Sequence, residues 1–215
     1  MKIYRYGAPT HSQAKISMSL APDTVVALAG LATVAGFVDA IAGGGGLLTL
    51  PALLLAGLDP VSAFATNKLQ SSFGSASATA TFARAGRIDF RTSWPLVVVT
   101  FLGAGCGALA VSLAPVAVLT ALLPLLLIAM ALYFALAPRL SDMDAKARLP
   151  ISGFALVVAA IGFYDGIFGP GTGSFLMLGF VLLFGYGGLR ATAHTKLLNF
   201  TSNVASLALF VLFGK

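Results

Sequence analysis

The sequence predicts an all-α integral membrane protein with two homologous repeats of transmembrane helices. Its 215 residues are 58% hydrophobic and only 9% charged, and the mean hydropathy is +0.95. Soluble domains carry about 25% charged residues, so this chain cannot cover itself with a water-facing surface. A glycine-rich motif that begins at Gly36 returns at Gly162, 126 positions later (162 − 36). Since a span needs about 20 apolar residues, there is room for roughly six or seven crossings and no separate soluble domain.

The charged residues exclude several other classes of protein. The net charge is +6, but the basic residues lie in short loops between apolar runs, whereas nucleic-acid binders cluster them on one exposed face. No nucleic-acid partner is therefore expected, and the basic loops predict which side is cytoplasmic. Cys106 is the single cysteine, which excludes an internal disulfide and argues against a cysteine metal site. We expect no metal and no cofactor.

The chain divides into four parts. Residues 1–22 form a polar N-terminal tail, 23–137 the first repeat, 138–149 a polar linker and 150–215 the second repeat. The first repeat continues for 69 residues after Lys68 (137 − 68), whereas 19 residues follow Lys196 (215 − 196). The second repeat is therefore expected to be incomplete, either because the chain is truncated or because a partner supplies the missing surface. A homodimer stays open as one form of that partner.

Eight apolar segments predict the helices in chain order. They are 24–42, 46–57, 61–83, 95–113, 116–136, 150–168, 173–186 and 190–213. Pro95 and Pro115 are placed at helix starts, where a missing N–H costs nothing. Segments 46–57 and 173–186 are too short to cross comfortably and follow glycine breaks, so they are predicted to be half-helices or re-entrant pieces buried within protein. The sequence leaves open whether the two repeats are parallel or inverted.

The glycine breaks are the first candidate site. Four consecutive glycines end a helix, because each costs about 1 kcal/mol in a helix interior, and the next helix then begins with unpaired N–H groups at membrane depth. Such an end is a ready anion site. Close helix packing is the alternative explanation. The candidate binding residues here are Gly43, Gly44, Gly45 and Gly46 in the first repeat and Gly169, Gly171 and Thr172 in the second.

Two lysines are the second candidate feature. Lys68 and Lys196 lie inside apolar segments at matching places, where a lysine costs about 2.5–3.5 kcal/mol unless it has a partner or a water-filled cavity. Two such lysines would give a cavity a positive potential that favours a small anion. Alternatively, each marks a helix end or pairs with an aspartate. Polar side chains accompany them on the same helix faces, either as ligands or as interhelical hydrogen bonds: Asn67, Ser71, Ser75 and Thr79, then Thr195, Asn199 and Asn203.

Acidic residues inside the apolar segments form the third feature. Asp39 and Asp165 each lie four residues before the first glycine of their break. Each could neutralise Lys68 or Lys196, carry a coupling proton, or hold the unwound backbone in place. His194 occupies the position that corresponds to Thr66 and is a candidate proton relay.

The residues that carry these features resemble a known family. The runs 35–51 and 65–72, with Asp39, the four glycines and Lys68, are similar to those of TauE/SafE membrane permeases, and 162–173 and 194–203 follow the same pattern. The resemblance covers about residue 24 to the end. It implies about eight helices in two homologous halves and a function in exporting sulfite, sulfoacetate or related organosulfonates.

Together these observations predict a multi-pass permease of the bacterial inner membrane, in contact with the lipid bilayer, that moves a small anion outward. Coupling to protons through Asp39 or Asp165, with His194, is part of that expectation. A non-transporting helical subunit completed by a partner protein is the alternative. An enzyme is not expected, because no Gly-x-Ser-x-Gly or His-Glu-x-x-His motif occurs.

Overall fold

The structure is a computed structural model that describes residues 21–42, 44–136 and 143–213. Within these ranges the chain forms eight α-helices and no strand. The helices are α1 (Pro22–Ala42), α2 (Gly46–Leu55), α3 (Pro60–Arg84), α4 (Phe90–Leu113), α5 (Val116–Leu136), α6 (Ile151–Ile167), α7 (Thr172–Leu182) and α8 (Gly188–Leu212). Each predicted segment corresponds to one helix, so the all-α fold is confirmed.

The largest boundary error is at the start of α4. The sequence placed Pro95 at the helix start, but α4 begins at Phe90 and Pro95 lies inside it. The reason is the Asp89 side chain, which accepts hydrogen bonds from the backbone N–H groups of Arg91 and Thr92. This N-cap nucleates the helix one turn before the proline.

By length and composition, four helices in the described part of the chain could cross a membrane, fewer than the six or seven crossings that the overall composition suggested. The spans are Pro22–Ala40, Phe90–Leu113, Val116–Tyr133 and Gly188–Leu212. Helix α3 has 25 residues, long enough to cross, but its polar stripe keeps its mean hydropathy below theirs. Helices α2, α6 and α7 are apolar but shorter.

The short helix α7 is the returning arm of a re-entrant hairpin. It has 11 residues, so it rises about 16 Å, roughly half of the hydrocarbon core. Its end lies beside the start of α6, because the N–H groups of Arg148 and Leu149 donate to the Leu183 carbonyl at 2.9 and 3.1 Å. The chain therefore enters along α6, reverses at the glycine break and returns along α7.

Helices α1 and α2 form a second helical hairpin. Gly45 lies against α1, where an added Cβ would be 2.5 Å from the Ala35 carbonyl oxygen. Leu28, near the start of α1, and Leu58, just after α2, pack on the same apolar cluster. The start of α1 and the end of α2 thus lie at the same end of the molecule, and whether α2 is a re-entrant piece stays a prediction.

The long helices that correspond between the two predicted repeats, α3 and α8, run in opposite directions. The end of α3 meets the start of α8, because Ala83 packs on the cluster that contains Ala193. The start of α3 meets the end of α8, since Phe64 and Phe210 share another cluster. Helices α3 and α8 are therefore antiparallel. Each is preceded by a hairpin that opens at its own starting end.

Glycines hold α6 tightly against α4. A Cβ added to Gly107 would lie 2.2 Å from the Phe163 carbonyl oxygen, and one added to Gly166 would lie 2.1 Å from that of Ala104. Gly103 and Gly162 make similar approaches, so both helices carry a Gly-x-x-x-Gly pattern at the crossing. Close packing is thus the role of the two glycines that flank Asp165, and it fixes where Asp165 lies.

Within the described residues, the basic side chains outside the centre gather at one end. The loops 85–89, 143–150 and 183–187 meet there, and every described Lys or Arg outside the two central lysines lies in or next to them: Arg84, Arg87, Arg91, Lys146, Arg148 and Arg190. We call this the basic face. The opposite face contains residues 21–25, 56–60 and 113–116, whose charged residues are Asp23 and Asp59.

Candidate functional site

The first lysine is paired with an aspartate of the other repeat. Lys68 of α3 is 1% exposed, and its Nζ lies 2.7 Å from Oδ2 of Asp165 on α6. The two atoms form an ion pair whose alignment falls short of a good hydrogen bond. Gly169, at φ +94°, lies beside the pair, and an added Cβ there would be 3.0 Å from Lys68 Nζ. Only glycine therefore suits both the backbone and the ammonium group.

The second lysine contacts the first repeat in a different way. Lys196 of α8 is 2% exposed, and its Nζ donates to the backbone carbonyl of Asp39 rather than to the carboxylate. Asp39 Oδ1 accepts from the Gly45 N–H at 3.2 Å, and Asp39 Oδ2 is buried without a hydrogen-bond partner among the described residues. In each case a lysine of one repeat contacts an aspartate of the other repeat, and we call this arrangement crosswise. Only in the Lys68–Asp165 set is the ammonium group in contact with the carboxylate.

The two helix breaks touch each other in the interior. A Cβ added to Gly46 would lie 3.4 Å from Cα of Pro170 and 3.3 Å from the amide nitrogen of Asn67. Thr49 donates to the amide oxygen of Asn67, which fixes α2 against α3. The prediction that the breaks face each other, with both lysines nearby, agrees with this geometry. Gly43 lies outside the described residues.

The second break is held by its own hydrogen bonds. Gly171 has φ +81°, and the Thr172 hydroxyl donates to the Gly169 carbonyl at 2.9 Å. The Tyr164 hydroxyl donates to the Pro170 carbonyl at 2.7 Å. Thr172 therefore closes the turn in this state, whereas the sequence proposed it as a ligand or cap.

The two polar stripes meet between α3 and α8. Asn203 donates to the Ser75 hydroxyl across the helices and to Asn199 along α8, both at 3.4 Å. Ser75 in turn donates to the Ser71 carbonyl at 2.6 Å. These contacts are the interhelical hydrogen bonds that the sequence offered as an alternative to substrate ligands. The Thr195 hydroxyl is buried without a partner.

His194 connects α8 to the loop between α3 and α4. Its Nδ1 lies 2.8 Å from the Arg190 carbonyl, and its Nε2 lies 3.3 Å from the Asp89 N–H. The ring must therefore carry its proton on Nδ1 and accept at Nε2, which is the neutral form. Both ring nitrogens are engaged by backbone groups, so a proton relay through His194 requires that these contacts open first. Its relay role stays a prediction.

A cavity of about 720 Å³ opens on the basic face, and sequence reasoning missed it. Loops of both repeats line it, with Arg87, Asp89, Asp144, Arg190 and His194 among its residues. Neither Lys68 nor Lys196 lines it. The central lysines therefore lie in closed packing, where carboxylate and carbonyl oxygens offset their desolvation. Among the described residues no cavity is lined by either lysine, and the open electropositive cavity that the sequence suggested stays a prediction.

Charges at this cavity are largely paired. Arg190 lies 3.5 Å from Asp144 Oδ2 and stacks over the Tyr186 ring, with its Cζ 3.8 Å from the ring centre. Burial raises the pKa of the Tyr186 phenol, an effect that the Arg190 guanidinium partly offsets. Hydrogen bonds from Thr92 lower the pKa of the Asp89 carboxyl below 3.8. Asp89 therefore stays ionised and capping at neutral pH.

Antiparallel long helices and broken helices that meet in the interior, with charged residues at the breaks, are typical of secondary membrane transporters. The family model for sulfite exporter TauE/SafE matches residues 28–215, and the chain belongs to this family. This confirms the resemblance that the sequence motifs indicated.

Curated relatives are named as transporters as well. The chain is 53% identical over 184 residues to "Probable membrane transporter protein ORF9" of Sinorhizobium sp., which covers 85% of this chain and 70% of that protein. It is 46% identical over 199 residues to a probable membrane transporter protein of Haemophilus influenzae, covering 92% and 78%. It is 49% identical over 186 residues to "Probable membrane transporter protein YfcA" of Escherichia coli K12, covering 86% and 69%. No solved structure was found to match.

The protein is therefore a multi-pass membrane transporter, which is a non-enzymatic function. It sits in a lipid bilayer and handles a small substrate.

Proposed function

We propose that this transporter moves a small anion, a sulfur oxyanion or organosulfonate such as sulfite or sulfoacetate, outward across the bacterial inner membrane by alternating access. The observation that carries the proposal is the crosswise arrangement of two buried lysines beside two helix breaks in contact. The family description names sulfite export, and the relatives are bacterial. The basic face is cytoplasmic by the positive-inside rule.

The start of α2 supports an anionic substrate. Asp39 Oδ1 already accepts the N–H of Gly45 there, so this helix end is suited to a negatively charged oxygen. An oxyanion that took the place of this carboxylate would meet the same N–H and the nearby Lys196 ammonium. Lysine has three N–H donors, and one carbonyl acceptor leaves Lys196 free to donate further.

The proposed binding residues follow from the breaks and the helices that contact them. Lys196 supplies one positive charge, because its ammonium group is not in contact with a carboxylate. Lys68 supplies a second positive charge once its ion pair with Asp165 breaks. The neutral donors are amides, hydroxyls and backbone N–H groups: Gly44, Gly45, Gly46, Asn67, Ser71, Gly169, Gly171, Thr172 and Asn199.

Proton coupling is assigned to Asp39. Of the three candidates, Asp165 is held by Lys68, and His194 has both ring nitrogens engaged. Asp39 has one oxygen bound and one buried oxygen without a partner, where a proton would sit. Protonation there would remove the negative charge beside the Lys196 ammonium and leave a net positive site for the anion.

Flux measurements in proteoliposomes test the proposal. Vesicles loaded with sulfite, sulfoacetate, thiosulfate or sulfate are assayed at two external pH values. We expect sulfite or an organosulfonate to exchange fastest, and Lys196→Ala and Lys68→Ala to reduce that flux at least tenfold. Lys146→Ala, on the exposed loop of the basic face, is the matched control and should keep wild-type flux. Unchanged flux in both central variants would refute the anion site.

The coupling role has its own readout. A pH gradient should accelerate wild-type flux, whereas Asp39→Asn should make flux insensitive to the gradient. If Asp39→Asn responds to the gradient as the wild type does, the coupling proton binds elsewhere.

A further inference from the structure

We propose that the two crosswise lysine–aspartate sets are alternating latches: Lys68–Asp165 closes the pathway toward the opposite face, and Lys196–Asp39 closes it toward the basic face. Each latch engages only when the other is released. This inference rests on the proposed alternating-access function and assigns the gates of that same site. We call the first set the outer latch and the second set the inner latch.

The latches lie at mirrored depths. Lys68 is eight residues after Pro60, the start of α3, and Lys196 is eight residues after Gly188, the start of α8. Eight residues of helix rise about 12 Å. Helices α3 and α8 are antiparallel and have 25 residues each. Lys68 therefore lies about 12 Å from one end of the helix pair, and Lys196 lies about 12 Å from the other end. The two latches are therefore on opposite sides of the midplane.

Each latch joins the crossing helix of one repeat to the hairpin of the other. Lys68 of α3 reaches Asp165 on the second hairpin, and Lys196 of α8 reaches Asp39 on the first. A movement of one repeat against the other must change both contacts, because both cross the boundary between repeats. Motions of this kind underlie alternating access in inverted-repeat transporters.

The two latches are in different states. In the outer latch ammonium and carboxylate are 2.7 Å apart, with side chains 2% and 1% exposed. In the inner latch Lys196 Nζ contacts the backbone carbonyl of Asp39, whose Oδ2 is buried and unpartnered. Since both sets contain the same two residue types, the difference is one of conformation and not of chemistry. The inner latch can engage by a shift of Lys196 from the carbonyl to the carboxylate of the same residue.

The two latches are also suited to exchange. A buried lysine that loses its partner is costly. The release of one latch is therefore favourable only when the other latch closes, or when an anion takes the place of the aspartate carboxylate beside the released lysine. The substrate would thus compensate for the charge that the opening latch leaves exposed.

Matched cysteine reporters test this reciprocity. Ala65 lies three residues before Lys68, and Ala193 lies three residues before Lys196. Each alanine is therefore between its lysine and the face that the latch of that lysine closes. The two alanines are 8% and 0% exposed, respectively. Ala65→Cys and Ala193→Cys are placed separately in a Cys106→Ser background, because Cys106 is exposed. Reaction with a membrane-impermeant maleimide is measured from each side of oriented proteoliposomes.

Asp165→Asn should raise labelling at position 65 at least fivefold without raising it at position 193, which is fully buried. Asp39→Asn should do the reverse. The double variant Lys68→Met with Asp165→Leu, which leaves no buried charge, should label as Asp165→Asn does and serves if the single variant misfolds. Asp23→Asn, at the exposed start of α1, should label as the wild type.

A rise at both reporters in either aspartate variant would mean general loosening and would overturn the latches, as would no change in the double variant. Labelling requires no substrate, so the outcome is separate from that of the flux panel. Reciprocal labelling without sulfite flux would support the latches while refuting the proposed substrate.

Discussion

A double-mutant cycle on the buried pair Lys68–Asp165 gives the most quantitative prediction. The single changes are Asp165→Leu and Lys68→Met, and the third variant combines them. Since the two side chains are 1–2% exposed, solvent does not screen a charge that loses its partner. Each single change should therefore destabilise the protein by about 3–5 kcal/mol.

The double variant should behave differently. Replacing both charges with apolar side chains of similar volume is often neutral or stabilising, so we expect a cost within about 1 kcal/mol of zero. The coupling free energy between the two positions should then be at least about 5 kcal/mol.

Thermal unfolding in detergent micelles, followed by circular dichroism, measures these differences. For a chain of this size each kcal/mol shifts Tm by about 2–4 °C, so the single variants should melt about 6–20 °C below the wild type. Single variants within about 2 °C of the wild type, or a double variant whose loss equals the sum of the singles, would refute a desolvated ion pair.

The remaining predictions concern packing, capping and the second break. Gly107→Ala should lower the free energy of unfolding by about 1–3 kcal/mol, because the added Cβ would lie 2.2 Å from a backbone atom. Gly105→Ala should be tolerated, because its Cβ would lie 3.6 Å from the nearest side-chain atom. Equal Tm values for the two variants would contradict the packing account. Gly169→Ala should lower the free energy of unfolding by about 1–2 kcal/mol, because the backbone at position 169 has a φ of +94°. The added Cβ should also slow transport, because it would crowd the Lys68 ammonium. Wild-type flux in this variant would count against that contact. Asp89→Ala should lower Tm at pH 7, and the difference should shrink as the pH is lowered: hydrogen bonds depress the pKa of the folded-state carboxyl below 3.8, so the cap is fully stabilising above the unfolded pKa and is lost as pH falls through the depressed folded pKa. A Tm difference that does not shrink during acid titration would contradict a contribution from the ionised cap.

Much of the fold could be predicted because it depends on local pattern. Apolar runs fixed all eight helices, and the glycine breaks marked the two helical hairpins. The start of α4 was missed because the apolar run was taken to begin at Pro95, although an aspartate before Phe90 is an N-cap signal. The crossing of α4 and α6 was missed as well. Its signal was present in the spacing of Gly103 and Gly107, which the sequence analysis did not use.

The site was less accessible to sequence reasoning. That an aspartate could neutralise a lysine was foreseen, but which aspartate meets which lysine depends on the antiparallel packing of α3 and α8. That packing is a tertiary property which hydropathy does not encode. The unequal state of the two sets depends on interatomic distances alone. The cavity on the basic face depends on loops that are distant in sequence, such as those of Arg87 and Asp144.

Equilibrium binding of ³⁵S-labelled sulfite to the purified protein tests the claim of a central anion site most directly, because binding is measured without an ion gradient and without transport. We expect saturable binding that weakens at least tenfold in Lys196→Gln and is unchanged in Lys146→Gln. Saturable binding of equal affinity in both variants, or none in the wild type while sulfoacetate and thiosulfate also fail to bind, would contradict an anion site at the centre of the molecule.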